Sequence, residues 1–196
     1  MNLPNQLTVS RFGLTVLFLI AMFAKFPYCE TVALFFFVLA SITDWMDGAI
    51  ARKRKLITNF GILMDPLADK ILTCSAFIAF VDRGYLAGWV AIVIVARELA
   101  ITGMRMLAAA KNVVLPAEAL GKYKTIFQIV ASIAVLVLHS YEQWGVVGRA
   151  VFGWGIAGKA WTEWFTPLSI WVAVILTFVS GAQYLWRNRR LFMTDL

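Results

Sequence analysis

The sequence predicts an all-α integral membrane protein: six transmembrane helices opened by an interfacial helix, with both termini cytoplasmic. Three observations point there. Hydrophobic residues make up 61% of the 196, and charged residues only 15%; a soluble domain of this length has too little interior to hide that much apolar surface. The mean hydropathy is +0.79. The apolar residues also fall into runs near the ~20 residues that a helix needs to cross a bilayer.

The elements follow in order. The opening, through Gly13, is too polar to cross, but Leu3, Leu7, Phe12 and Leu14 recur at helical spacing, which suits an interfacial helix running into the first span. The six spans are read at about 12–24, 30–50, 61–81, 86–108, 119–139 and 167–186. The first lacks a basic leader and a cleavage site, so it reads as a retained helix. Residues 141–166 read as an interfacial loop, with Trp144, Trp154, Trp161 and Trp164 at headgroup level. Nothing divides the chain, so residues 1–196 form a single domain. Cys29 and Cys74 lack metal or redox spacing.

Charge sets the orientation. Of the 18 Lys and Arg, only Lys25, Arg83, Arg149 and Lys159 fall on the side opposite the N-terminus. The other fourteen hold the N-terminal side in the cytoplasm. In a membrane protein the net charge of +7 therefore points to anionic lipid or phosphate partners rather than nucleic acid.

The chemistry lies in residues 44–69. Asp44 and Asp47 are three apart and Asp65 and Asp69 four apart, so each pair occupies one face of its helix. The short connection makes the two helices antiparallel neighbours and brings four carboxylates to one membrane face. Carboxylates in a span are costly, at ~2.5 kcal/mol or more each. Oxygen donors alone select hard cations, so Mg²⁺ or Mn²⁺ is expected, with two ions suiting a phosphoryl-type displacement. Gly48 and Gly61 permit close approach of a ligand, and Arg52 can fork onto phosphate. Lys53, Arg54 and Lys55 read as a positive-inside anchor.

The pattern Asp44-x-x-Asp47-Gly48-x-x-Ala51-Arg52-x8-Gly61-x3-Asp65-x3-Asp69 resembles the complete signature of the CDP-alcohol phosphatidyltransferases. Four further patterns resemble the bacterial members that take glycerol 3-phosphate as acceptor: Asn5-x-x-Thr8-x-x-Arg11, the run from Asp65 to Lys70, Arg97-Glu98 followed by Arg105, and Gly121-Lys122-x-Lys124-Thr125-x-x-Gln128. The resemblance implies six spans, a cavity open to the cytoplasm in the bacterial inner membrane, and a homodimer. It implies transfer of a phosphatidyl group from CDP-diacylglycerol to glycerol 3-phosphate. Asp44, Asp47, Asp65 and Asp69 would hold two divalent cations, with Asp69 also the general base. Asp44, Gly48, Ala51 and Arg52 would contact CDP, and Asn5 and Thr8 lie at a depth to join them, although both equally suit a helix cap.

Arg97, Arg105, Lys122 and Lys124 are the candidates for binding an acceptor phosphate. Arg97 and Arg105 are eight apart and share a face, and arginines in a span call for an anionic partner, for which Glu98 is the alternative. Competing readings are another acceptor (serine, inositol phosphate or phosphatidylglycerol) and a divalent-cation transporter. The transporter is disfavoured because its carboxylates should line a path through the bilayer. His139, the only histidine, falls at the far end of a span and reads as structural. Glu30, Asp82 and Arg83 read as solvated loop charges on that far side. Ser41, Thr43, Thr73 and Ser75 read as satisfying helix backbones.

Overall fold

The computed structural model describes residues 3–24, 26–54, 59–111, 113, 115, 119–156 and 158–189. It is an all-helical bundle. The long helices are α1 (Leu3–Phe23), α2 (Cys29–Arg54), α3 (Asn59–Asp82), α4 (Gly88–Ala110), α5 (Ala119–Ser140) and α7 (Trp161–Arg187). Each has 21 residues or more, or about 30 Å of rise. Among the described residues, two helical stretches are long and apolar enough to cross a membrane, Leu120–Phe152 and Trp161–Arg187, and Thr8–Phe23 is a shorter apolar helix. These features and the family reported below make this a membrane protein.

Two connected cores hold the bundle. In one, Phe18 and Met22 of α1 pack on Phe37 and Ala40 of α2, Leu72, Ala76 and Phe80 of α3, and Val135 and Leu136 of α5. In the other, Phe77 of α3 meets Val90 and Ile94 of α4, Ala131 of α5 and Ala173 and Val174 of α7. Alanines at the contacts let the backbones approach closely, which matters where apolar solvent supplies no hydrophobic drive between helices. Hydroxyls behave as expected of residues inside apolar helices: Ser41 and Thr43 donate to the carbonyls of Phe37 and Ala40, both at 2.8 Å.

The expectation that residues 141–166 form a loop is corrected. A 3-10 turn (Tyr141–Trp144) leads into α6 (Gly145–Phe152), then a hairpin of β1 (Gly155–Ile156) and β2 (Lys159–Ala160), and α7 begins at Trp161. Glycine makes the compact path possible. Gly158 turns the hairpin with φ +82°. A Cβ on Gly148 would lie 2.0 Å from the Tyr141 carbonyl oxygen, so only glycine lets α6 press onto the 3-10 turn.

The reading of Glu30 and Arg83 as solvated loop charges is also corrected. Glu30 is 8% exposed in the first turn of α2. It pairs with Arg83 and accepts from the Tyr85 hydroxyl at 2.7 Å and Gln143 Nε2 at 3.2 Å. Burial, with the hydrogen bond to Glu30, pushes the Tyr85 phenol up to about 12. The Tyr85 ring stacks on His139, centroids 3.6 Å apart, and His139 Nδ1 donates to the Val135 carbonyl at 2.8 Å. His139 is structural, as its position indicated. The start of α2, the α3–α4 connection and the end of α5 are thus joined by one polar cluster, covered by the 3-10 turn.

Candidate active site

Helix α2 is unbroken across Asp44 and Asp47, and α3 across Asp65 and Asp69. The spacing that places each pair on one helix face is therefore a helical one in the structure. The side chains of Asn5, Asp47, Gly48, Ala51, Arg52, Gly61, Asp65 and Asp69 lie outside the described residues, and so does the link 55–58 between the two helices. Of the four aspartates, Asp44 is described. Its Oδ1 forms an ion pair with Arg11 Nη1 of α1 at 2.5 Å; the Arg11 side chain is fully buried and that of Asp44 is 36% exposed. Thr8, one turn before Arg11, is buried as well. Arg11 therefore sets α1 against the signature end of α2. A carboxylate steadied by a guanidinium and still partly open fits the donor set that a hard cation needs. Among the described residues, no group of three or more His, Cys, Asp and Glu comes together as a metal site.

The acceptor candidates separate into two groups. Arg97 and Lys124 are brought together by Glu98: Arg97 Nη1 donates to Glu98 Oε1 at 3.1 Å, and Lys124 Nζ donates to the same oxygen. The three side chains are 12%, 6% and 6% exposed. In these contacts two cations share one carboxylate oxygen. Arg97 Nη2 reaches Ser180 Oγ at 3.4 Å. Its buried Nε has no hydrogen-bond partner among the described residues, an expensive state for a charged donor. The stem of Arg97 crosses α7 at Gly181, where a Cβ would come 2.8 Å from Cγ. Beside it an apolar groove of about 410 Å³ runs between α4 and α7, lined by Ile92, Val93, Ala96, Ile101 and Phe178 among others. Arg105 is exposed and lies over the Tyr184 ring, 6.0 Å from its centroid; Lys122 is exposed. Neither joins the Glu98 cluster in any described contact.

Register places this cluster relative to the signature. Phe77, Ile94 and Ala131 share one packed layer. At 1.5 Å per residue, the backbones of Asp69 and Lys124 lie ~12 Å and ~10 Å from that layer, toward the same end of the bundle, with Glu98 ~6 Å that way on α4. The basic cluster and the second aspartate pair therefore occupy neighbouring levels. Sequence reasoning offered Glu98 only as a local partner for Arg97; its bridge to Lys124, 26 residues away, needed the packing of α4 on α5.

A helical membrane bundle that carries paired aspartates on two consecutive helices, beside a buried basic cluster, defines a class. Residues 1–179 match the family described as CDP-alcohol phosphatidyltransferase, and the chain belongs to that family. It is 38% identical to the CDP-diacylglycerol--glycerol-3-phosphate 3-phosphatidyltransferase of Bacillus subtilis (strain 168), over 95% of each chain. It is 32% identical to the protein of the same name from Rickettsia bellii, over 97% of each chain, and 31% identical to that of Cereibacter sphaeroides, over 93% of each.

Proposed function

We infer that the protein transfers the phosphatidyl group of CDP-diacylglycerol to glycerol 3-phosphate, releasing CMP. The names of relatives matched along nearly the whole chain support the reaction. The structural observation that supports the acceptor assignment is the buried Arg97–Glu98–Lys124 cluster, two cations gathered near the level of Asp69. An acceptor that carries its own phosphate suits such a cluster, whereas serine brings none; the names of the relatives favour glycerol 3-phosphate over inositol phosphate. Arg105 and Lys122 extend the same basic surface toward the helix ends.

The family relationship and the carboxylate donor set support two divalent cations, Mg²⁺ or Mn²⁺, held by Asp44, Asp47, Asp65 and Asp69. Bound there, they would neutralise charge on the pyrophosphate and on the departing phosphate. The chain's own residues do the rest. Arg11 fixes the Asp44 carboxylate, while Gly48, Ala51 and Arg52, with Asn5 and Thr8 from α1, surround the CDP moiety. Arg97 and Lys124 orient the acceptor by its phosphate. Asp69 takes the proton from the acceptor hydroxyl as its oxygen forms a bond to the lipid-bearing phosphorus, and the bond to the CMP oxygen breaks in line. A carboxylate is a weak base for an alcohol, so orientation and electrostatics supply most of the acceleration.

The reading includes six spans formed by α1–α5 and α7, with one domain over residues 1–196. Both termini and the site face the cytoplasm of a bacterial inner membrane, which the distribution of basic residues supports. The family relationship is what supports a homodimer. The test is purified protein with CDP-diacylglycerol and Mg²⁺ or Mn²⁺, offered glycerol 3-phosphate, serine, inositol phosphate and phosphatidylglycerol in turn. CMP release and a new anionic lipid on thin-layer plates with glycerol 3-phosphate are expected. Turnover with serine and none with glycerol 3-phosphate would overturn the acceptor assignment.

A further inference from the structure

The segment joining α5 to α7 matches no part of the signature, yet it is firmly built. Trp144 Nε1 donates to Thr31 Oγ1 at 3.0 Å, and Thr31 donates to Gln143 Oε1 at 2.7 Å, tying the 3-10 turn to α2. Trp161 Nε1 donates to the Val151 carbonyl at 2.9 Å and Thr162 Oγ1 to that of Phe152 at 3.1 Å, tying α6 to α7. The Trp144, Phe152 and Trp161 rings form a chain with centroids 5.4 and 6.2 Å apart. Two of the four loop tryptophans, Trp144 and Trp161, are thus partly buried anchors.

What this frame presents outward is apolar. Val146 is 83% exposed and Trp154 70%, and Val147, Val151 and Trp164 are exposed with them. The Lys159 ammonium lies 5.7 Å from the centroid of the Trp164 ring, and Arg149 stands exposed on α6. Leaving these valines and tryptophans in water would forfeit ~1.5–3 kcal/mol for each large side chain that burial would gain. Helix α6 is itself the end of one of the two stretches long enough to span a membrane, Leu120–Phe152, and the hairpin leads from it into the other, Trp161–Arg187; the apolar face continues onto α7 through exposed Leu168 and Trp171. Valines and tryptophans rimmed by Lys and Arg are the composition of a surface that lies in a lipid interface.

We propose that α6 and the β1–β2 hairpin form a rigid platform that beds into the outer-leaflet interface. Val146, Val147, Val151, Trp154 and Trp164 enter the boundary between headgroups and acyl chains, and Arg149 and Lys159 reach the lipid phosphates. The partner is the lipid surface itself. The platform fixes the depth of α5 and α7, and so of the bundle, and it is independent of which acceptor the enzyme uses.

The test uses the full chain in nanodiscs of phosphatidylcholine and phosphatidylglycerol, with Cys74→Ala removing the half-buried thiol. Nitroxides are attached at Val147→Cys, Val151→Cys and, as a reference on the 3-10 turn, Glu142→Cys. CMP release confirms that each variant is folded. The platform requires an oxygen-to-Ni(II)EDDA accessibility ratio above one at Val147 and Val151, and several-fold above that at Glu142. A ratio below one at both valines, meaning open water, overturns it. So does dipolar broadening at Val147 that disappears when labelled protein is diluted with unlabelled protein, which would make a second copy the occupant.

Discussion

Glu98 offers the sharpest perturbation, because one carboxylate oxygen serves two buried cations. Glu98→Gln keeps the shape and an acceptor oxygen but removes the charge that Arg97 and Lys124 share. A hydrogen bond with a charged partner is worth ~1.5–3 kcal/mol against ~1 for a neutral one. Weakening two of them puts the loss at about 1–4 kcal/mol, the upper end reaching the ~3–5 observed when a buried pair loses one member outright. The three side chains are at most 12% exposed, so solvent screening removes little of this.

The assay is reversible unfolding in mixed micelles, repeated with added inorganic phosphate or glycerol 3-phosphate. An anion that binds the folded state stabilises it by RT ln(1 + [L]/Kd), or ~2.7 kcal/mol at a hundredfold excess over Kd. Phosphate should therefore stabilise Glu98→Gln more than the parent, because Arg97 and Lys124 lose the carboxylate they share. The requirement for glycerol 3-phosphate should change while that for CDP-diacylglycerol stays within about twofold. A stability loss below ~1 kcal/mol, or equal stabilisation of both proteins by phosphate, would refute the argument that the cluster is a buried anion site.

Three further outcomes are expected. Gly181→Ala places a methyl 2.8 Å from Arg97 Cγ, so Arg97 must shift; unfolding should show a loss of ~1–3 kcal/mol, and the glycerol 3-phosphate KM should rise more than the donor KM. Arg11→Leu removes the guanidinium 2.5 Å from the Asp44 carboxylate. It should cost ~1–3 kcal/mol in unfolding experiments and raise the CDP-diacylglycerol requirement, with little change for the acceptor. Asp69→Asn should abolish CMP release while equilibrium binding of CDP-diacylglycerol persists; near-normal turnover would remove the base from Asp69.

The sequence made some features legible because they are local. Pairs of aspartates three and four apart, on stretches too apolar to be anything but helix, fix a helical face without tertiary information, and the structure carries unbroken helix through both. Ser41 and Thr43 could be read the same way, since a hydroxyl in an apolar helix has its own carbonyls close at hand. The Glu30 cluster could not. Glu30, Arg83, Tyr85 and Gln143 come from three separate parts of the chain, and each alone looks like an end-of-helix residue facing water. Their burial depends on the 3-10 turn closing over them, which depends in turn on Gly148 and the paired aromatics of residues 141–166. That density of glycine and tryptophan was the available signal. Its meaning was a packed cap, because close backbone approach and ring stacking both need such residues, whereas a mobile loop needs neither.

The two polar clusters at different levels of the bundle show how charge balance separates scaffold from site. The Glu30 cluster contains one anion and one cation, Arg83, and every further partner is neutral: Tyr85, Gln143 and the Cys29 thiol. Among the described residues its charges pair off. In the described contacts of the Glu98 cluster two cations share one anion, and Arg97 Nε finds no hydrogen-bond partner among the described residues. A buried charged donor without a hydrogen bond is costly, and an arriving anion would relieve it. Arg11 is paired with Asp44 at 2.5 Å, and we read it as the residue that steadies the first signature aspartate rather than as a phosphate ligand. If Arg11 instead bound the donor's phosphates directly, Arg11→Lys would retain much of the donor affinity through its charge; as a positioning residue whose guanidinium reaches the Asp44 carboxylate from a buried site, it should lose donor affinity almost as fully as Arg11→Leu.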